Sequence, residues 1–179
     1  MHSVELLPDE TTERAVTDVW RRLRDAGLPS QAAHRHPTNR PHLTLATADA
    51  LPAEVRARLR QLLAVLPVPL RLEGVVRFTG RRTVVAWSVR ADEALSGLHE
   101  AVWRTLADAP GCGGLNPLHA PGRWRPHITL ARGREGEWPA SAAALLSGAS
   151  TEQPDVVTGR WVRARTYDSA VRTVDDLAP

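Results

Sequence analysis

Two segments of the chain carry a histidine and a threonine in the same order and spacing. Residues 40–46 read RPHLTLA and residues 125–131 read RPHITLA, so the copies differ only where the second has isoleucine in place of Leu43. An imidazole has an ordinary pKa of about 6.5, so near neutral pH one histidine can accept a proton while another donates one. Two histidines that face each other therefore suit the opening or forming of a phosphodiester.

Each copy predicts a short β-strand. A residue before proline is restricted to extended conformations, and the residues that follow alternate between polar and apolar. Because side chains alternate between the two faces of a strand, His42 and Thr44 should share one face while Leu43 points to the core. His127 and Thr129 should share the corresponding face of the second strand. Each strand would present an imidazole and a hydroxyl on one side.

A single His-x-Thr segment would carry little information, since short motifs often occur without function. Its recurrence half a chain later favours two related lobes that face each other across one cleft. A purely structural duplication would not explain why both polar residues recur. A histidine metal site is a further alternative, but the motifs lack a third ligand and no carboxylate lies at ligand spacing. We therefore expect no metal and no other cofactor.

The paired His-x-Thr-aliphatic segments resemble the signature of the 2H phosphoesterase superfamily, which includes the 2'-5' RNA ligase-like proteins and cyclic phosphodiesterases. The resemblance extends over essentially the whole chain. It implies a bilobal α+β fold, with two pseudo-symmetric lobes of mostly antiparallel sheet, helices outside and a central cleft. It also implies that His42 and His127 carry the proton transfers and that Thr44 and Thr129 bind the phosphate. Arg132 is carried over as a further contact to the substrate phosphate.

The resemblance implies a metal-independent phosphoesterase that acts on 2',3'-cyclic phosphate or 2'-5' phosphodiester bonds. The partner would be RNA with a terminal cyclic phosphate or a small nucleotide phosphodiester, and reversible 2'-5' RNA ligation belongs to the same chemistry. In hydrolysis we expect His127 to activate water and His42 to protonate the leaving 3'-oxygen, with the roles exchanged in ligation. The alternative is a non-catalytic protein that binds RNA ends or nucleotides in the same cleft, although all four motif residues are present.

Recognition of a nucleobase would require an aromatic platform. Trp124, next to the second motif, is the first candidate for base stacking, and Tyr167 and Trp87 follow it. Each of these rings could instead fill the core or cover the edge of a sheet.

Composition is typical of one globular domain formed by residues 1–179. Apolar residues make up 42% of the 179 residues, and the net charge is +3. All 23 basic side chains are arginine, so the high isoelectric point is weak evidence for nucleic-acid binding. The positions of the arginines in the sequence are more informative, because arginine binds phosphate through two parallel hydrogen bonds. Six arginines flank the two motifs: Arg35, Arg40, Arg123, Arg125, Arg132 and Arg134.

The sequence also favours a cytoplasmic monomer with no membrane contact. No segment approaches the roughly 18 consecutive apolar residues of a membrane span, and the first residues lack the pattern of a signal peptide. The single cysteine, Cys112, excludes an internal disulfide and fits a reducing compartment. Nothing in its surroundings suggests activation, so we expect an inert thiol.

The remaining sequence predicts the elements that position the motifs. Apolar periodicities of two and of about 3.6 residues distinguish strands from helices. They predict a strand over 4–7, a helix over 11–26 capped by Asp9 or Thr11, a helix over 49–66, a strand over 70–78 bulged at Gly74, a strand over 83–89, a helix capped by Asp92, a helix from 138 to 148 and a hairpin over 156–174. His99 is expected on the surface of the helix that Asp92 caps. A long loop over 111–124 leads into the second motif and is a candidate functional segment.

Overall fold

The computed structural model of the protein describes residues 1–134, 143–146 and 156–178. Seven strands occur in this part of the chain: β1 (His2–Pro8), β2 (Leu43–Ala48), β3 (Val68–Phe78), β4 (Thr83–Val89), β5 (His127–Gly133), β6 (Val156–Asp168) and β7 (Thr173–Ala178). The α-helices in the same part are α1 (Glu10–Asp25), α2 (Ala53–Leu63), α3 (Glu93–Ala107) and the one-turn α4 (Ala143–Leu146). Short 3₁₀ helices cover Gln31–Ala33, Pro110–Cys112 and Pro117–His119.

The strands form one antiparallel sheet in the order β1-β2-β5-β4-β3-β6-β7. The long strand β6 pairs with β3 through residues 156–161 and with β1 through residues 161–168. Trp161 has a partner in each of these two strands, so β1 and β3 lie on opposite edges of β6. The pairings therefore close a circuit in which the end of the chain returns to its beginning. The predicted α+β class and mostly antiparallel sheet are confirmed.

Local signals in the sequence account for the helix boundaries. The side chain of Asp9 accepts a hydrogen bond from the backbone N–H of Thr12 (2.8 Å) and caps α1. Asp92 caps α3 in the same way through the N–H of Leu95 (2.9 Å). Of the two residues predicted to cap the first helix, the cap is Asp9, and the predicted cap at Asp92 is confirmed. The buried side chains of these helices recur at helical spacing and pack against one continuous apolar cluster.

Gly74 is the point at which β3 changes partners. Its φ is +65°, a conformation that glycine adopts readily because it has no Cβ. The register of β3 against β4 shifts between Leu72 and Val75. The predicted bulge at Gly74 is therefore confirmed, and it redirects β3 from its pairing with β6 toward β4.

The helices cover one side of the sheet and leave the other side for the site. Helix α1 contacts β1, β5 and β6, while α3 contacts α2, β2 and β3. None of the helices in the described ranges is long and apolar enough to cross a membrane.

Cys112 is buried and free, and burial, with the nearby charge of Glu54, raises the pKa of its thiol. Most of the predicted helix over 138–148 lies outside the described residues, which include only α4.

Gly159 of β6 allows the start of α1 to approach the sheet closely. A Cβ at this position would overlap the hydroxyl of Thr12 and lie 2.5 Å from Oδ2 of Asp9. We expect Gly159→Ala to lower the free energy of unfolding by about 1–3 kcal/mol through overpacking. Loss of the Asp9 cap would add up to about 2 kcal/mol. Urea denaturation, read as the transition midpoint at unchanged slope, measures this effect.

Gly97 provides a matched control, because alanine at this position should raise the free energy of unfolding rather than lower it. It lies on the exposed side of α3, and nothing lies within 4 Å of a Cβ added there. Gly97→Ala should stabilise the protein by about 0.5–1 kcal/mol, because alanine loses less backbone entropy in a helix. A Gly159→Ala variant as stable as the wild type would contradict the close packing of α1 on β6.

Candidate active site

The two motif strands lie side by side in the middle of the sheet. Strands β2 and β5 are antiparallel and pair at one position, where Leu43 opposes Ile128. Residues directly opposite each other point to the same side of a sheet. Leu43 (1% exposed) and Ile128 (0% exposed) both point into the core. The residues on either side of them must therefore point to the opposite side.

The exposure pattern confirms the alternation predicted from the sequence. His42, Thr44, His127 and Thr129 are all half-buried, while the aliphatic residues between them are buried. Because the strands are antiparallel, the motifs are related by a local twofold axis that passes between Leu43 and Ile128. The two imidazoles and two hydroxyls thus lie on one side of the sheet.

Both imidazoles are held in the same way by the backbone. Nδ1 of His42 lies 2.7 Å from the carbonyl oxygen of Arg40, and Nδ1 of His127 lies 2.7 Å from the carbonyl oxygen of Arg125. A carbonyl can only accept, so Nδ1 carries the proton in both rings. Each Nε2 is left as the ring nitrogen that can exchange a proton. The repeated Arg-Pro-His sequence therefore fixes the tautomer as well as the strand.

His127 lies in an environment that disfavours its charged form. Burial lowers the pKa of its imidazole, and the positive charges of Arg132 and His42 lower it further. The hydrogen bond to the Arg125 carbonyl opposes this effect without reversing it. The ring also packs against Phe78, with centroids 4.7 Å apart. His127 is therefore neutral near pH 7 and can accept a proton at Nε2.

The nearest charge to His42 is negative, whereas the charges near His127 are positive. Nε2 of His42 lies 3.7 Å from Oε1 of Glu5, a carboxylate on β1 that is 3% exposed. Glu5 also accepts hydrogen bonds from Ser3 Oγ (2.6 Å) and from Arg165 Nε (2.8 Å). Burial alone would raise the pKa of Glu5, but His42, Arg165 and Ser3 together hold it below its usual value. The pair of histidines is thus symmetric in geometry and asymmetric in charge.

Two tryptophans support the strands at the threonine positions. The indole N–H of Trp124 donates to the carbonyl oxygen of Thr44 (3.0 Å), and that of Trp20 donates to the carbonyl oxygen of Thr129 (3.1 Å). Strands β2 and β5 diverge beyond their single pair, so these carbonyls would otherwise lack strand partners. Within the described residues the hydroxyls of Thr44 and Thr129 have no hydrogen-bond partner. They remain available to a ligand.

The loop between α3 and β5 fills the space where the two strands separate. Asn116 N–H donates to the carbonyl of Thr47 (3.2 Å), and Gly114 N–H donates to Oδ2 of Asp49 (2.7 Å). The loop then presents His119 and Trp124 beside His127. Burial, with the neighbouring charges of His127 and His99, lowers the pKa of His119 to about 4. His119 is therefore a neutral side chain over the working range of most enzymes.

His99 is buried, contrary to its predicted position on the helix surface. It is 4% exposed and stacks on Trp124, with ring centroids 3.9 Å apart and planes 2° apart. Its Nε2 donates to the carbonyl of His119 (2.9 Å). Burial lowers its pKa. The surface assignment is wrong because the loop folds back over α3, a long-range contact that helical periodicity does not reveal.

Two adjoining cavities open beside the His127 half of the site. One has a volume of about 730 Å³ and contains His127, His119 and Arg132 in its wall. The second has a volume of about 370 Å³ and contains Ser88 and Arg77. Both share three wall residues: Phe78, Trp124 and Arg125. Their mixed aromatic and cationic lining suits a flat, anionic ligand.

The structure separates the three predicted base-stacking residues. One side of Trp124 is covered by His99, and the residue lines both cavities. Tyr167 is half-buried on β6 opposite Ser3, on the His42 side of the cleft. Trp87 is 2% exposed and donates to the Leu146 carbonyl (2.8 Å), so its assignment as a platform is wrong. Its strand position requires packing against the core.

The flanking arginines have different partners. Arg123, Arg125 and Arg132 line the larger cavity. Arg40 instead forms a bidentate ion pair with Glu13 of α1, in which Nε donates to Oε1 (2.9 Å) and Nη2 donates to Oε2 (2.6 Å). Its backbone carbonyl, rather than its charge, serves the site.

Glu5, Ser3 and Arg165 lie at the site but were not predicted from the sequence. One signal was present, because Glu5 is an acidic residue inside the apolar run of β1, and a buried charge requires a partner. The partner itself, Arg165, is 4% exposed and lies on β6, far from Glu5 in the sequence. Among the residues that the structure describes, no three histidine, cysteine, aspartate or glutamate side chains cluster as metal ligands would.

Paired His-x-Thr strands on one side of an antiparallel sheet are the fold and site of the 2H phosphoesterases. Residues 8–163 match the sequence profile of the 2'-5' RNA ligase superfamily. This match covers most of the chain, and the chain belongs to that superfamily. No curated protein sequence matches it significantly.

Solved structures of other proteins share the fold. TT0787 of Thermus thermophilus aligns with a TM-score of 0.59 and 20% identity, covering 98% of this chain and 94% of that chain. Usb1 of Kluyveromyces marxianus aligns with a TM-score of 0.56 and 14% identity, covering 99% and 98%. LigT of E. coli in its apo form aligns with a TM-score of 0.55 and 15% identity, covering 98% and 92%. These likenesses establish the architecture.

Proposed function

We propose that the protein is a metal-independent phosphoesterase that opens 2',3'-cyclic phosphates or 2'-5' phosphodiesters of RNA or nucleotides. One observation carries the proposal. Two imidazoles on the same side of the sheet donate Nδ1–H to equivalent carbonyls, which leaves both Nε2 atoms to exchange protons. Such a pair can supply both proton transfers of a phosphodiester reaction.

The hydrolysis of a 2',3'-cyclic phosphate balances with these groups alone. Nε2 of His127 takes a proton from water as the water oxygen bonds to phosphorus. The bond from phosphorus to the 3'-oxygen breaks, and Nε2 of His42 gives its proton to that oxygen. The product is a 2'-phosphate. The charge that develops on the non-bridging oxygens is stabilised by the hydroxyls of Thr44 and Thr129, which are positioned before the reaction.

The electrostatic asymmetry supports this assignment of roles. Burial and the positive charges around it keep His127 neutral, as a general base must be. His42 has a carboxylate 3.7 Å from the atom that would carry the transferred proton. In the ligating direction the same groups exchange roles.

The solved relatives indicate the class of ligand. Usb1 was determined with uridine monophosphate, and LigT with 3'-AMP and with ATP. The cavities beside His127 offer the arginine and aromatic lining that a nucleotide requires. Arg132 is assigned to the substrate phosphate, and Trp124 and Tyr167 to bases on opposite sides of the histidine pair. A strand of RNA with a terminal cyclic phosphate would fit the same surface.

A substrate panel tests the proposal. Nucleoside 2',3'-cyclic monophosphates and 2'-5' dinucleotides would be incubated with the protein in EDTA, between about pH 5 and pH 9. A bell-shaped pH dependence in EDTA supports the two-histidine reaction, and the product isomer identifies the leaving oxygen. Tight binding of RNA ends without turnover would favour the alternative, a non-catalytic binding protein. Activity that EDTA abolishes would contradict the assignment of the histidines as proton carriers.

Arg132→Gln is expected to change both rate and pH dependence. It removes a positive charge that lowers the pKa of His127, so this pKa should rise. Because the base must be neutral, the acid limb of the profile should move to higher pH. Loss of a charged contact to phosphate should also lower kcat/KM about tenfold or more. Measuring kcat/KM against pH separates these two effects.

Arg58→Gln is the matched control, since it removes the same charge from the exposed surface of α2. It should leave the profile in place. An Arg132→Gln profile with an unchanged acid limb would argue against His127 as the base.

A further inference from the structure

A buried ion pair lies beside one histidine of the pair. The side chains of Glu5 and Arg165 are 3% and 5% exposed, and Oε2 of Glu5 accepts from Nε of Arg165 at 2.8 Å. The second oxygen of the carboxylate, Oε1, accepts from Ser3 and lies 3.7 Å from Nε2 of His42. Three strands, β1, β2 and β6, bring these groups together.

Such a pair needs an explanation other than stability. Removing two charges from water is costly, and well-packed apolar residues often stabilise a fold as well as a buried ion pair does. Leu7, two residues further along β1 and on the same side of the strand as Glu5, is a buried apolar residue (2% exposed). The carboxylate is oriented by two donors and faces the reactive nitrogen of His42. The position of the carboxylate next to Nε2 of His42 indicates a role in proton transfer.

The two histidines differ in their charged neighbours. His42 has Glu5 from β1, Arg165 from β6 behind that carboxylate, and His127 across the twofold axis. His127 has Arg132, His119 and the ring of Phe78. Among the described residues no carboxylate forms an ion pair with His127. Glu5 therefore breaks the symmetry of an otherwise duplicated site.

We propose that Glu5 is a positioning residue that stabilises the protonated imidazole of His42 and so makes His42 the proton donor in hydrolysis. Arg165 and Ser3 hold the carboxylate in place. The inference rests on the proposed function, because it assigns the direction of proton transfer within the two-histidine reaction. Glu5 itself gains and loses no proton. The proton on Nε2 of His42 goes to the leaving oxygen, the proton of water arrives on His127, and solvent restores both rings.

Two further facts support a permanent charge on Glu5. The neighbouring cations and the Ser3 hydroxyl keep its pKa below the usual value despite its burial. Its contact with Arg165 is a charge-assisted hydrogen bond of good geometry, which fixes the carboxylate rather than leaving it to rotate. The ionised form is thus present across the pH range in which histidines titrate.

The test measures the fraction of His42 imidazole that is protonated at one fixed pH near neutrality, by NMR, beside the pH dependence of kcat/KM. In Glu5→Gln this fraction should fall, because the opposite charge 3.7 Å from Nε2 is lost. Because the acid must be protonated, the alkaline limb of kcat/KM should move to lower pH, with about tenfold loss of activity above neutral pH. Glu5→Asp should restore part of both effects.

Two further variants protect the test against misfolding and net-charge effects. Glu5→Gln leaves Arg165 buried without its partner, which can destabilise the fold. Glu5→Gln combined with Arg165→Met removes both charges, and the protonated fraction of His42 should still be lower than in the wild type. Glu10→Gln removes an exposed carboxylate on α1 and should change neither readout.

The outcomes separate this inference from the proposed function. A protonated fraction of His42 that stays unchanged in Glu5→Gln or in the double variant overturns it, as does an equal fall in Glu10→Gln. A lower protonated fraction with an unmoved alkaline limb also overturns it, since Glu5 would then have no effect on catalysis. The NMR readout requires no substrate, so failure to turn over any phosphodiester would refute the proposed function while the NMR readout still decides the role of Glu5 in the charge of His42.

Discussion

His42→Asn and His127→Asn are each expected to lower kcat by about 10²–10⁴-fold, because each removes one of the two proposed proton carriers. Asparagine keeps a donor near the position of Nδ1, so the hydrogen bond to the Arg40 or Arg125 carbonyl can persist. What is lost is Nε2. Activity that survives in either variant would contradict a reaction that needs both histidines.

The two substitutions should also alter opposite sides of the pH profile. The base must be neutral, so its loss should remove the acid limb in His127→Asn. The acid must be protonated, so the alkaline limb should disappear in His42→Asn. Profiles of kcat/KM measured with one cyclic mononucleotide reveal both effects. We expect this order because burial and the charge of Arg132 favour neutral His127. Loss of the limbs in the reverse order would mean that the two histidines have the opposite roles.

Thr44→Val and Thr129→Val are expected to cost about 10²–10³-fold in kcat, the usual effect of deleting one donor to a developing oxyanion. Valine has nearly the shape of threonine and favours strands, so β2 and β5 should keep their geometry. In the proposed reaction the hydroxyls act on charge that develops in the transition state, so KM should change less than kcat. Steady-state kinetics with saturating substrate measure this difference.

The serine variants are the controls for these substitutions. Thr44→Ser and Thr129→Ser retain the hydroxyl and should recover most of the activity that valine removes. If serine and valine were equally damaging, the methyl group and strand packing would matter rather than the hydrogen bond. That result would contradict a direct role of the hydroxyls at the phosphate.

Local patterns in the sequence predicted the elements whose signals are contained within a few residues. Residues 83–89 form β4 as the β-branched pattern indicated, Asp92 caps α3, and Gly74 marks the bulge. The motif strands show the predicted alternation because the polar side faces the cleft and the apolar side faces the core. Each of these features depends on neighbours in the chain.

The features that sequence reasoning missed depend on contacts between distant segments. Glu5 meets Arg165 only because β6 returns to β1, and His99 is buried only because the loop before β5 folds over α3. Periodicity places a residue on a side of a helix or strand, but it does not reveal what covers that side. Identifying the histidines was possible because their segment is duplicated. The carboxylate that distinguishes them occurs once.

The crossed arrangement of Trp20 and Trp124 has a consequence for folding. Each indole comes from one half of the chain and bonds to the motif strand of the other half. Strand β6, late in the sequence, also completes the pairing of β1. Part of the backbone of each half is therefore satisfied only by the other half, and the two lobes should unfold in one cooperative transition with coincident probes. Cutting the chain between the motifs should yield two fragments that gain structure only when mixed.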